Sequence, residues 1–215
     1  MNKGKIVLLF SGGIDSTVLY YWLINEGYNV VPIHINYGQT TYSGEIRAIE
    51  KVTLDFEKLN SPPIFVDVPG LRQVGSGSLT GQTPSSQYSF DKWVESEFFP
   101  NRNMILISIA ASYAYKLKID KLAVGVAGKN SYTDTKSPFI KSIASTLSES
   151  LSQFEIVAPF VDKSREVVLD QARKLNVPIE STFSCNCLGE RHCLLCNSCL
   201  DREYALKWLG KQNAF

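Results

Sequence analysis

The feature that most restricts this chain is a short apolar run, Ile6-Val7-Leu8-Leu9-Phe10, that ends on Ser11-Gly12-Gly13 and passes directly into a helical pattern. A continuous apolar run of this length reads as a strand buried on both faces, as in a parallel sheet. The same alternation repeats along the chain. The spacing predicts a helix over residues 16–25, with Val18, Leu19, Trp22 and Leu23 inward and Gly27 in the left-handed position that ends it. A strand is predicted over 30–36 and a helix over 44–59, with Ile46, Ile49, Phe56 and Leu59 at helical spacing. Pro62-Pro63 introduces a third strand over 64–68, before a long helix over 103–118 and a fourth strand over 122–126. Pro138 suits the first turn of a helix capped by Ser137, with Phe139, Ile140, Ile143 and Leu147 inward. Then come a short strand over 155–157, a helix over 164–175 that stops before Pro178, and a last helix over 200–209.

Strand–helix alternation implies a doubly wound parallel sheet with helices on both faces. Ligands in such sheets bind beyond the carboxyl ends of the strands. The segments to watch are therefore 11–17, 36–43 and 127–136. The stretch over 70–92 has 23 residues with four Gly and five Ser, and reads as a long loop or lid. At 215 residues the chain can bury one sizeable core. The expected division is a main domain over 1–180 and a small terminal segment over 181–215. There is no apolar run of membrane-spanning length and no signal-peptide pattern, so a cytoplasmic protein is expected. Twenty-two basic against 21 acidic residues leave +1, which supplies no general field for nucleic acid.

Between the first strand and its helix stands Ser11-Gly12-Gly13-Ile14-Asp15-Ser16-Thr17. Glycines there let the backbone approach an anion, and the helix N-terminus points amides at it. Ser11, Ser16 and Thr17 add hydroxyls. Asp15 would repel phosphate unless a divalent cation sits between them, which suggests Mg²⁺. Neither the Gly-x-x-x-x-Gly-Lys-Ser/Thr run nor the Gly-x-Gly-x-x-Gly fingerprint occurs.

All five cysteines lie between Cys185 and Cys199. A disulfide framework would staple distant segments, whereas this clustering points to a metal site in a reducing compartment. Four thiolates at such spacing can close a tetrahedron around Zn²⁺, and a closed site is structural. Cys193, Cys196 and Cys199 form overlapping Cys-x-x-Cys pairs; the fourth place falls to Cys185 or Cys187, with His192 a substitute ligand. An iron–sulfur cluster is the competing occupant.

The Ser-Gly-Gly-x-Asp-Ser run resembles the PP-loop of the ATP pyrophosphatases, which split ATP between the α and β phosphates and adenylate a substrate oxygen. Together with Cys-x7-Cys-x2-Cys-x2-Cys at the other end, the chain resembles the 7-cyano-7-deazaguanine synthase family of queuosine-precursor synthesis. Asn36-Tyr37-Gly38-Gln39, Pro100-Asn101-Arg102-Asn103, Gly125-Val126, Asp162-Lys163 and Cys199-Leu200-Asp201-Arg202 are similar to that family's motifs. The resemblance implies an adenine nucleotide hydrolase-like fold, ATP, Mg²⁺ and Zn²⁺, and a homodimer. It implies that Phe10, Ser11, Gly12, Gly13, Ile14, Asp15, Ser16 and Thr17 bind ATP, with Asp15, Lys163 and Arg102 catalytic and Tyr37, Gln39 and Asp134 on the substrate. It selects Cys185, Cys193, Cys196 and Cys199 as ligands and leaves Cys187 over.

The reaction so implied adenylates the carboxylate of 7-carboxy-7-deazaguanine for attack by ammonia, giving the amide and then the nitrile. The chain departs from the family at Thr40-Thr41, where a basic residue and His are usual, and over 130–136, where Tyr-Ser-Gly-Tyr-Pro-Asp is usual. These substrate-side changes point to an alternative in which a larger amine, even a protein amine, is joined and the reaction stops at the amide. A tRNA-modifying PP-loop enzyme is a further reading, though no cysteine lies near the PP-loop. A non-enzymatic zinc-ribbon adaptor is the reading from another class, and the intact PP-loop speaks against it. His34, in the second strand, reads as a satisfied, partly buried histidine, and Trp22, Trp93 and Trp208 as packing residues.

Overall fold

The computed structural model describes residues 2–54, 61–75, 77–81, 99–127, 132–187 and 189–211. Among them are five strands: β1 (Lys5–Leu9), β2 (Asn29–Asn36), β3 (Ile64–Asp67), β4 (Lys121–Val124) and β5 (Glu155–Val157). They form one parallel sheet in the order β3-β2-β1-β4-β5. In register, Val7 of β1 lies between Val31 of β2 and Leu122 of β4. The chain winds outward from β1 to β3 and then returns to the other side of β1. That reversal opens a crevice between the carboxyl ends of β1 and β4.

The helices are α1 (Ile14–Asn25), α2 (Tyr42–Leu54), α3 (Arg102–Lys116), α4 (Ser137–Leu151), α5 (Arg165–Lys174) and α6 (Asn197–Trp208). Alternation along β1 assigns them to two layers. Ile6 and Leu8 pack with α1, α2, α5 and α6, while Val7 packs with α3 and α4. Leu8, Leu19, Ile107 and Leu122 are fully buried, and truncating any of them to Ala should cost about 2–5 kcal/mol. No helix among the described residues is long and apolar enough to cross a membrane.

Several boundaries differ from the sequence expectation, each for a local reason. Helix α1 was expected to bury one stripe. It instead buries Ile14, Ser16, Thr17, Val18, Leu19, Tyr20 and Leu23, because it sits between the sheet and α5, while Trp22 is only half-buried. Gly27 does end it, at φ 88, with Tyr28 N–H donating to Leu23 O. Ser137 does not cap α4; Lys136 holds the cap position, without a side-chain cap bond, and Ser137 is the first helical residue. Helix α6 begins at Asn197, three residues before the expected Leu200, because the turn through Cys193 and Cys196 delivers the chain into helix there. The segment from Pro69 holds two short 3₁₀ turns, Pro69–Gln73 and Ser78–Thr80. The expected Phe56, Leu59 and Trp93, and residues 76 and 82–92 of the 70–92 stretch, fall outside the described residues.

The terminal segment shares the main core: Ala205 and Leu206 of α6 pack in the same cluster as Leu8 and Val18. Inside that segment Arg202, 2 % exposed, donates to Ile179 O and Thr182 Oγ1 at 2.7 Å each and to Glu180 O at 3.0 Å. A buried guanidinium spread over three backbone or hydroxyl acceptors ties α6 to the turn that leads into the cysteines.

One close approach positions the crevice. A Cβ on Gly125, just past β4, would stand 2.9 Å from both N and Cα of Ser16 in the first turn of α1. Backbone cannot yield as a flexible side chain can. Gly125→Ala should therefore destabilise the protein by about 1–3 kcal/mol, seen as a lower urea midpoint with an unchanged slope. An unchanged midpoint would mean that β4 and α1 are not held at this distance.

Candidate active site

The crevice is a cleft of about 700 Å³. Its floor is the turn after β1. Gly12 takes φ 72, and Gly13 is the N-cap of α1. The first intrahelical bond runs from Thr17 N–H to Gly13 O at 3.0 Å, so the amides of Ile14, Asp15 and Ser16 precede it at the positive end of the helix dipole. Ser16 Oγ lies 3.1 Å from Ser11 Oγ and 3.2 Å from Gly13 O, which holds the turn open toward the cleft. Phe10, Ser11, Gly13, Ile14, Asp15 and Ser16 line the cleft; Thr17 is fully buried beneath them.

The expected lysine is not there. Lys163 is exposed and does not line the cleft. The chain reverses at Asp162, in the left-handed conformation at φ 59, and brings Arg165, the first residue of α5, inward instead. Arg165 bridges Asp15 of α1 and Asp201 of α6. Burial works against the guanidinium charge, but Asp15 and then Asp201 outweigh it and hold Arg165 above its ordinary value. Burial also pushes the Asp201 carboxyl up; Arg165 opposes this, and the like charge of Asp15 adds to it. Neither Arg165 nor Asp201 was singled out from sequence, although Asp201 sits inside the Cys199-Leu200-Asp201-Arg202 run.

Arg102, at the start of α3, does line the cleft. Burial works against its charge, and Tyr37, which hydrogen-bonds to it, together with Asp134 restores it. Burial pushes the Tyr37 hydroxyl up to about 12, with Arg102 opposing. Tyr37 lines the cleft with its ring edge-on to Phe99 at 5.6 Å. Asp134 stands beside Arg102 without lining the cleft, and its backbone carbonyl accepts from Asn103 Nδ2 at 3.3 Å. Gln39 lines the cleft, but its amide is engaged inside the protein. Its Oε1 accepts from Tyr37 N–H at 2.8 Å, and its Nε2 donates to Ile35 O at 3.1 Å and Glu45 Oε2 at 2.8 Å. With both N–H donors occupied, Gln39 shapes the turn that carries Tyr37 and has no donor left to read a base. Thr40 and Thr41 are similarly engaged, Thr40 with Ser78 O at 3.1 Å and Thr41 with Glu45 Oε1 at 2.6 Å.

His34, expected to be partly buried and satisfied, is instead 3% exposed, lines the cleft and leaves Nε2 without a well-aligned hydrogen bond. Its Nδ1 lies 2.9 Å from Phe10 O, and because a carbonyl only accepts, Nδ1 is a donor there. Its Nε2 lies 3.2 Å from Glu45 Oε2 in poor alignment, and its ring stacks on Tyr42 at 5.6 Å. Burial would raise Glu45, but His34, Thr41 and Gln39 outweigh it and hold the carboxyl below its ordinary value.

The cysteine segment forms another wall. Phe183 N–H donates to Gly12 O at 2.9 Å, and Phe183, Ser184, Cys185, Asn186, Asn197 and Ser198 line the cleft. The sulfurs of Cys185, Cys193, Cys196 and Cys199 all lie within 4.8 Å of one another. Cys193 and Cys199 are 3.8 Å apart, and the edge of a tetrahedron with sulfur about 2.3 Å from its centre is about 3.8 Å. Cys185 Sγ accepts from the backbone amides of Cys187 and Cys193, both at 3.4 Å, and Cys193 Sγ from that of Cys196 at 3.3 Å. The hydrogen bond from Cys185 pushes the Cys196 thiol up to about 11, and Cys199 is pushed up by Cys185 and Cys196. Sulfurs this close cannot share negative charge without a cation among them. The donor set, spacing and amide support therefore fit a divalent metal. Cys187 lies outside the tetrad. His192 Nε2 accepts from Ser184 N–H at 3.2 Å, and the histidine does not belong to the tetrad.

Comparison with known proteins follows the same lines. Residues 5–210 match the family described as queuosine biosynthesis protein QueC. The chain is 51% identical over 217 residues to 7-cyano-7-deazaguanine synthase 1 of Desulfitobacterium hafniense (strain Y51), covering all of this chain and 98% of the relative. It is 38% identical over 208 residues to the 7-cyano-7-deazaguanine synthase of Archaeoglobus fulgidus, covering 94% of this chain and 85% of that one. Among solved structures, a 4-thiouridine synthetase in complex with RNA and bound ATP superposes with a TM-score of 0.56 at 16% identity, covering 96% of this chain and 50% of the other. A predicted subunit of a tRNA methyltransferase from Methanocaldococcus jannaschii gives 0.51 at 16% identity, covering 97% and 89%. At that identity the two structures share the fold. The family match and the full-length relatives reach further: the chain belongs to the queuosine biosynthesis protein QueC family.

Proposed function

We propose that this enzyme is an ATP-dependent carbon–nitrogen ligase that adenylates the carboxylate of 7-carboxy-7-deazaguanine and delivers it to ammonia, forming the amide and, after a second activation, the nitrile. The observation that carries the reading is the cleft itself: orphan amides and hydroxyls at the N-terminus of α1, with Asp15, Arg165 and Arg102 on its walls. A carboxylate is a poor acyl donor until one oxygen becomes a leaving group, and adenylation supplies that.

In this reading the amides of Ile14, Asp15 and Ser16 and the hydroxyls of Ser11 and Ser16 hold the phosphates. Asp15 would hold Mg²⁺, which would neutralise charge on the leaving pyrophosphate. Arg102, kept cationic beside Tyr37, would meet the substrate carboxylate. Lys163 enters only if the segment before α5 moves. The four cysteines would hold Zn²⁺ as a structural ion, fixing the wall from Phe183 to Ser198. The 51%-identical relative named as a 7-cyano-7-deazaguanine synthase favours ammonia as the amine. The homodimer implied by the resemblance and a cytoplasmic location belong to the same proposal.

Mass spectrometry after incubation with ATP, Mg²⁺, ammonia and 7-carboxy-7-deazaguanine tests it. The reading expects the nitrile, with two AMP formed per nitrile. An amide that accumulates without further conversion would instead favour a diverged enzyme that takes a larger amine.

Asp15→Ala should lower AMP formation by a factor of the order of 100 or more while the circular dichroism spectrum and melting cooperativity stay unchanged. AMP formation retained at saturating Mg²⁺ would contradict the role given to Asp15.

The purified protein should carry one zinc per chain by elemental analysis. Cys193→Ser and Cys196→Ser should lose it and melt at lower temperature, whereas Cys187→Ser should keep both metal and stability. Iron in place of zinc, or metal loss in the Cys187 variant alone, would overturn the ligand assignment.

A further inference from the structure

The ion network at the mouth of the phosphate cradle holds more than a fold requires. Arg165 joins three elements that are distant in sequence: Asp15 in the first turn of α1, its own position at the start of α5, and Asp201 in α6. All three side chains line the cleft. Arg165 is 16% exposed, and its buried Nε has no hydrogen-bond partner among the described residues. Asp15 and Asp201 are 34% and 45% exposed, so water can take up a released carboxylate, whereas the mostly buried guanidinium needs another anion in the place of the one that leaves.

Asp15 and Arg165 cannot both keep this pairing and serve a nucleotide. A carboxylate that takes up Mg²⁺ must turn from the guanidinium, and a guanidinium so released stands beside the amides that would hold the phosphates. Its planar fork matches two phosphate oxygens at once, which a lysine ammonium cannot do. Asp201 would remain on the other amino group and set the direction of the fork.

We propose that Arg165 is the cation that receives the β- and γ-phosphates and the pyrophosphate formed from them, exchanging Asp15 for phosphate oxygen while Asp201 keeps the guanidinium oriented. The inference rests on the adenylation reading above and names a residue for one part of it. When the substrate carboxylate oxygen bonds to the α-phosphorus, the bond from that phosphorus to the bridging oxygen breaks. The electron pair stays on the departing pyrophosphate, and the charge that develops there is the charge Arg165 meets. Arg165 is then a catalytic residue and Asp201 a positioning residue. Asp201 follows Cys199 by two residues on α6, so the metal segment sets where the fork points.

The experiment measures pyrophosphate and AMP binding in the presence of Mg²⁺ by calorimetry, for the wild type, Arg165→Gln, Arg165→Lys and Asp201→Asn. Arg165→Gln should weaken pyrophosphate binding about tenfold or more and change AMP binding less than about twofold, as loss of a charge-assisted bidentate contact implies. Arg165→Lys should recover part of the loss, and Asp201→Asn should fall between it and the wild type. A residue that merely braces the fold would weaken both ligands together or neither, and either result overturns the proposal. If Arg165→Gln melts without cooperativity, Arg165→Lys carries the comparison, and an unchanged ratio of pyrophosphate to AMP affinity in it counts against the proposal. A wild type that binds pyrophosphate not at all overturns the adenylation reading as well. A wild type that binds both ligands, with no selective loss in the variants, overturns the role of Arg165 alone.

Discussion

The backbone of Gly12 is the contact on which the rest of the site depends. Its left-handed conformation, φ 72, turns the chain out of β1 and into α1. A Cβ there would stand 3.0 Å from Glu45 O and 3.1 Å from the side chains of Ala48 and Ile49, so helix α2 can lie against the turn only because this residue has none. The Gly12 carbonyl accepts from Phe183 N–H at 2.9 Å and fastens the cysteine segment to the same point. One residue thus sets the turn after β1, the depth of α2 and the position of the cysteine-bearing wall. Glu45, lodged against it, carries that constraint into the His34–Gln39–Thr41 cluster and so to Tyr37.

The two walls of the cleft are stabilised differently. On one side, side chains hold one another: Gln39, Thr40 and Thr41 use their polar groups internally, and Arg102 and Tyr37 are paired. On the other side little apolar surface is available. Among the described residues, the cluster that contains Cys185, Cys187, Cys196 and Cys199 adds only Ala48 and Phe183 as buried apolar partners. A metal in the tetrad would supply what a core cannot, and in zinc peptides such binding contributes roughly 10–16 kcal/mol. Arg202, buried against Ile179, Glu180 and Thr182, joins this wall to the main core.

What was legible in the sequence follows from how strongly each feature is constrained. β1 and β4 were read to within two residues because strands buried on both faces leave apolar runs, β2 because its apolar run is interrupted only by His34, and α1, α3 and α5 because turn residues mark their ends. The glycine turn after β1 was legible because the left-handed backbone at residue 12 and the close approach of α2 demand a residue without a side chain. Less was legible where three-dimensional packing chooses among chemically similar neighbours. Lys163 and Arg165 lie two residues apart, and the left-handed turn at Asp162 decides which enters the cleft. Gln39 reads as a ligand-facing amide until its partners Ile35, Tyr37 and Glu45 are in place. Ser137 and Asn197 show the same at helix ends, where the chain's approach rather than the residue type fixes the first turn.

The central claim is that the enzyme transfers AMP to an oxygen of the substrate carboxylate. The most direct measurement uses 7-carboxy-7-deazaguanine labelled with ¹⁸O in both carboxylate oxygens, with ATP, Mg²⁺ and ammonia, and mass analysis of the phosphate-bearing products. The account predicts label in AMP and none in pyrophosphate, because the carboxylate oxygen bonds to the α-phosphorus and departs with it. Label in inorganic phosphate, or AMP formed without label, would contradict it.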